Sequence, residues 1–83
     1  MSNYVYIETT VKEIIAKQLT MDVAKVQLES RLVEDLGVDS FGSVEIAFEL
    51  EEKFDLKIPD SALYEAKTVK NIVDYIISQK EDK

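Results

Sequence analysis

With 83 residues, 46% of them hydrophobic and 33% charged, and a formal net charge of −7, the chain is one small acidic domain. Its single core can hide only about 60% of the surface that the unfolded chain exposes. Zero cysteine removes disulfides, thiolate metal sites and cysteine nucleophiles, while zero histidine removes the commonest general base and the commonest metal ligand, so most enzyme chemistries are disfavoured.

The N-terminus, MSNYVYIETT, lacks a basic region followed by an apolar stretch, and the apolar residues never gather into a membrane-length run. A soluble, cytoplasmic monomer without membrane insertion is expected. Ile7, Val11, Ile14, Ile15 and Leu19 form the apolar stripe of an amphipathic helix over about 4–19. From Thr20 to Val38 the pattern loosens around Val26, Leu28, Leu32 and Leu36, and Gly37 ends it. A connection of this length is usually functional or contains short helical turns.

A second helix is expected over 40–54. Ile46, Ala47, Leu50 and Phe54 make its inward stripe, while Phe41, Val44 and Phe48 fall on another stripe rotated away from it. Glu45, Glu49 and Glu52 lie beside these, so the helix carries apolar side chains on an acidic, partly exposed face. Pro59 stops the extended DLKI segment and can open a short helix at 60–65, since proline is tolerated at a first helical position. Thr68 caps a last helix over 68–78, whose stripe is Val69, Ile72, Val73, Ile76 and Ile77. The whole chain, 1–83, reads as one all-α domain, a small bundle of three main helices plus a short one.

Charge is concentrated in the middle of the chain. Residues 21–39 carry five acids against Lys25 and Arg31, and residues 40–60 carry six against Lys53 and Lys57, whereas both ends are balanced. Such a field attracts basic protein surfaces and repels phosphate backbones, which argues against nucleic acid as a partner. An EF-hand needs oxygen ligands at loop positions 1, 3 and 5 and glycine at 6. Counting back from Gly42 or Gly37 puts Gly37 or Leu32 at position 1, so no specific metal site is expected.

Asp39 and Ser40 open the second helix. Both residue types cap helices, accepting hydrogen bonds from free first-turn N–H groups for about 1 kcal/mol. A hydroxyl at this place, beside unpaired N–H groups and the positive end of the helix dipole, is also well sited to bear a covalent phosphate. The segment from Leu36 to Ile76, LGVDSFGSVEIAFELEEKFDLKIPDSALYEAKTVKNIVDYI, resembles the acyl carrier protein family. The family's Asp-Ser-Leu attachment motif stands here as Asp39-Ser40-Phe41. The likeness continues through Val44-Glu45, Leu50-Glu51-Glu52, Phe54, Ile58-Pro59-Asp60, Thr68-Val69 and Asp74-Tyr75-Ile76.

The resemblance implies a non-enzymatic carrier in fatty acid or related lipid biosynthesis. A phosphopantetheinyl transferase would attach 4'-phosphopantetheine from coenzyme A to Ser40 through a phosphodiester bond, and acyl groups would ride as thioesters on that arm. A cysteine-free chain would offer them no competing thiol. Asp39 and Glu45 would dock basic patches on acyl-transferring and acyl-modifying enzymes, with Glu49 and Glu52 as further acids of that face and Phe41, Val44 and Phe48 as apolar anchors.

Phe41, Gly42 and Phe48 depart from the commonest family pattern of leucine, then a polar residue, and a later methionine or aliphatic residue. With Lys53 and Lys57 diluting the acid at the helix end, they admit a carrier for a specialised polyketide, aminoacyl or peptidyl pathway. The rival from another class is an acidic helical interaction module without cofactor.

Overall fold

The computed structural model describes residues 3–81; residues 1–2 and 82–83 of the expected domain lie outside the described residues. Among the described residues four α-helices follow one another: α1 Asn3–Leu19, α2 Ser40–Phe54, α3 Asp60–Glu65 and α4 Val69–Glu81, with one turn of 3-10 helix at Val23–Lys25. This is the expected all-α arrangement of three long helices and a short one.

The core forms where the three long helices turn their apolar stripes inward. Ile7, Val11 and Ile15 of α1 meet Ile46, Ala47, Leu50 and Phe54 of α2 and Val69, Ile72, Val73 and Ile76 of α4. Ile14, Leu19 and Ile77, read as members of the same stripes, pack at the margin and are only partly buried. Burying a side chain of this size contributes about 1.5–3 kcal/mol, which is why periodicity alone marks these helices.

The long connection from 20 to 39 is ordered by backbone bonds to the start of α4. Leu32 N–H donates to the Lys67 carbonyl at 2.9 Å, while Val69 and Lys70 N–H donate to the Ser30 and Leu28 carbonyls at 3.1 and 3.0 Å. These last two are first-turn amides that α4 itself cannot satisfy, so loop and helix complete each other. Val26, Leu32 and Val38 are the loop's deeply buried anchors, with Leu28 and Leu36 partly buried beside them. Gly37, at φ 73°, makes the left-handed step that ends the turn over Arg31–Leu36.

Thr68 caps α4 as expected, its Oγ1 accepting from Asn71 N–H at 3.2 Å. Asn71 Oδ1 reaches back to the amides of Lys67 and Thr68 at 2.8 and 3.0 Å, a reciprocal box that the threonine alone did not reveal. α4 runs past the expected end at 78 to Glu81, and Lys80 there donates from Nζ to the Phe54 carbonyl at the end of α2 (2.8 Å). Pro59 stands one residue before α3 and accepts, through its carbonyl, the Ala62 N–H at 3.0 Å.

Candidate functional site

The head of α2 is set by what precedes it. Val38 is buried and its N–H bonds the Leu32 carbonyl at 2.8 Å, so the chain leaves the core at a fixed point. Asp39 then adopts an extended conformation, and its Oδ1 accepts the Gly42 N–H at 2.7 Å while its carbonyl accepts the Ser43 N–H at 2.9 Å. Asp39 is therefore the cap.

Ser40 is the first helical residue and is exposed. Its carbonyl accepts from Ser43 Oγ at 3.0 Å, but among the described residues no hydrogen bond engages its own hydroxyl. The two roles that local sequence left shared between Asp39 and Ser40 thus separate. The carboxylate serves the helix, and the hydroxyl stays free in solvent.

Gly42 fits closely under the cap. A Cβ added there would meet Asp39 Oδ1 at 3.2 Å, tighter than ordinary contact, so the carboxylate would have to give by a few tenths of an ångström.

Beyond the first turn, Phe41, Val44 and Phe48 stand in a row on the outer face of α2 and are 76%, 55% and 61% exposed. Glu45 and Glu52 are exposed beside them and Glu49 is half-buried. Two of these acids already have partners on α1. Gln18 donates from Nε2 to Glu45 Oε1, and Lys17 Nζ lies 4.0 Å from Glu49 Oε2. Both residues stand in the last turn of α1, which ends where Thr20 turns left-handed at φ 55°. Phe48 borders two surface clefts, one of 640 Å³ against α1, with Ile14 and Lys17, and one of 330 Å³ that reaches Val44 and Ile58.

Sequence reasoning missed the inward role of Glu51. Its Oε2 accepts the Ile58 N–H at 2.7 Å, tying α2 to the segment that leads into α3. Ile58 also lines an apolar void of only 10 Å³ with Ala62, Ala66, Ile72 and Tyr75, about the room for one water molecule. Near the loop, Asp35 holds Arg31 through its amide at 2.8 Å and through Nε and Nη2 at 3.2 and 3.1 Å. The Arg31 side chain at this distance keeps the Asp35 carboxyl below the usual carboxylate range.

Among the described residues, no group of three or more acids could hold a metal ion, and no helix is long and apolar enough to cross a membrane. What the head of α2 offers chemically is one unencumbered hydroxyl for covalent attachment, backed by a helix dipole and flanked by an apolar and acidic face.

Residues 9–76 match the model of the phosphopantetheine attachment site family. The chain is similar to the acyl carrier protein of Helicobacter hepaticus, at 45% identity over 86% of this chain and 93% of that protein. It is similar also to that of Campylobacter jejuni subsp. doylei, at 42% identity over 86% of this chain and 92% of that protein. In structure it superposes on a candidate acyl carrier protein from Mycobacterium tuberculosis with a TM-score of 0.82 and 27% identity, covering 88% of this chain and 97% of that one.

Proposed function

The chain belongs to the acyl carrier protein family, whose members are carriers rather than enzymes and bear covalent 4'-phosphopantetheine, and from that premise we propose that Ser40 is the attachment residue of a carrier serving fatty acid or related lipid biosynthesis. Membership sets aside the cofactor-free interaction module. The observation that carries the assignment is the free, exposed Ser40 hydroxyl, relieved of capping by Asp39. When bound, the arm supplies the thiol on which acyl groups are held as thioesters.

The protein's own residues position and present. Asp39 fixes the first turn so that Ser40 keeps one orientation relative to the helix axis. Asp39, Glu45, Glu49 and Glu52 offer charge to basic partner surfaces, including that of a phosphopantetheinyl transferase, while Phe41, Val44 and Phe48 offer desolvatable area. Exposed ion pairs contribute about 0–1 kcal/mol each, so docking is weak, fast and sensitive to salt, as a shuttle between enzymes requires. Sheltering a cargo chain inside the bundle needs the segment around α3 to move outward, because the void beside Ile58 holds 10 Å³. The working place proposed for it is the cytoplasm.

The exposed Phe41 and Phe48 support a second reading, a carrier for a specialised acyl, polyketide, aminoacyl or peptidyl group, since aromatic side chains on a docking face are effective anchors. Incubation with coenzyme A and a transferase is expected to add the mass of phosphopantetheine to the wild-type protein and nothing to Ser40→Ala. Clean modification of the alanine variant sinks the assignment. The mass of the group carried by protein isolated from its host separates the two pathways.

A further inference from the structure

The acids of α2 are not equivalent. Asp39 is engaged as the cap, Glu51 is turned to the Ile58 amide, and Glu52 has no ion pair among the described residues. Glu45 accepts from Gln18, a neutral donor that satisfies the carboxylate without cancelling its charge. Glu49 faces Lys17, whose positive charge partly offsets it.

The Lys17–Glu49 pair has the character of a displaceable contact. The lysine side chain is 77% exposed and sits at 4.0 Å, whereas the Glu49 side chain is 37% exposed and rests against the cleft between α1 and α2. An arginine arriving on the outer face can form a bidentate bond that a lysine cannot, and it meets there a carboxylate whose charge Lys17 already partly offsets.

We propose that Lys17 is a specificity-determining residue: an internal competitor for Glu49 that weakens engagement of basic partner surfaces at the middle of α2 and leaves the attractive charge to the acids on either side, Asp39 and Glu45 near Ser40 and Glu52 toward the helix end. The inference rests on the docking reading of the α2 face given above. It makes the last turn of α1 part of the recognition surface, although α1 bears neither the attachment residue nor the apolar row. Lys17 acts through Glu49 and is a positioning residue.

The test uses the full chain as substrate of a phosphopantetheinyl transferase, reading the apparent KM for the carrier and kcat separately. At low ionic strength, Lys17→Ala is expected to lower KM by about two- to four-fold, the range for one exposed ion pair, with kcat unchanged. Lys17→Arg keeps the charge and can hold Glu49 in a bidentate pair, so it should not lower KM, and the gain from Lys17→Ala should vanish when Glu49→Gln is combined with it. Lys25→Ala removes the same charge from the exposed turn after α1 and should change KM by less than half as much. Equal effects of Lys17→Ala and Lys25→Ala, or an undiminished Lys17→Ala effect in the Glu49→Gln background, overturn the proposal. An unchanged KM in the Glu45→Gln, Glu49→Gln, Glu52→Gln triple variant shows instead that the acidic face does not dock, and removes the premise.

Discussion

The two connections that leave α2, one before it and one after, are held by opposite means. The 20–39 loop is bonded backbone to backbone with the start of α4, through Leu28, Ser30 and Leu32, and drives Val26, Leu32 and Val38 into the core. Past the helix-ending bonds of the Asp55 and Leu56 N–H groups to the Glu51 carbonyl, the segment into α3 is tied by side chains: Glu51 on the Ile58 amide, Tyr75 on the Lys57 carbonyl at 3.4 Å and Lys80 on the Phe54 carbonyl. Ile58 is its deeply buried anchor. Backbone ties open only when the chain itself moves, whereas side-chain ties open by rotamer change. The stiff connection delivers Ser40, and the releasable one borders the apolar void.

Removing an anchor of the stiff connection should have the largest effect. Leu32→Ala is expected to cost about 2–4 kcal/mol in urea unfolding, the usual range for a buried leucine, and to loosen the start of α4 along with the loop. A cost below 1 kcal/mol would mean that the loop is ordered by its hydrogen bonds alone. Glu51→Ala comes next. It strips a partly buried amide of its acceptor, for about 1–3 kcal/mol, and should speed hydrogen exchange over 55–66 while leaving 28–38 protected. Equal acceleration in both segments would erase the contrast between them.

The smallest effect concerns acid. The Asp35 carboxyl is held below its ordinary range, chiefly by the Arg31 side chain, so the stability it contributes is present above the ordinary carboxylate range. That contribution is lost as pH falls through the lowered value. The Arg31 amide resonance should therefore titrate below the ordinary carboxylate range, and should not follow that transition in Asp35→Asn. A midpoint at the ordinary value would show that the clamp is idle in solution.

The helices were legible because burial follows their period. The double striping of α2, with Ile46, Ala47, Leu50 and Phe54 inward and Phe41, Val44 and Phe48 outward, is fully present in the spacing. The order of the long loop was not, since its ties run through backbone groups that every residue possesses and no side-chain pattern announces them. Lys17 and Gln18 were missed for a related reason: their partners lie on another helix and depend on how α1 and α2 cross. Glu51 left a usable trace. It follows Ala47 by four residues and Leu50 by one, which places it at the edge of the buried stripe and apart from the outward acids of the same run. Asp39 and Ser40 were recognisable as a pair, but dividing cap from free hydroxyl required the 2.7 Å bond to Gly42.

That bond has a mechanical consequence. Because the Asp39 carboxylate already occupies the Gly42 amide, an anionic group on Ser40 meets both a taken donor and a like charge at the helix end. On the reading proposed here, Ser40 serves as a pivot rather than a seat: the root of the tether is pushed outward, and the directions it can sweep are bounded by the neighbouring Phe41 and Val44.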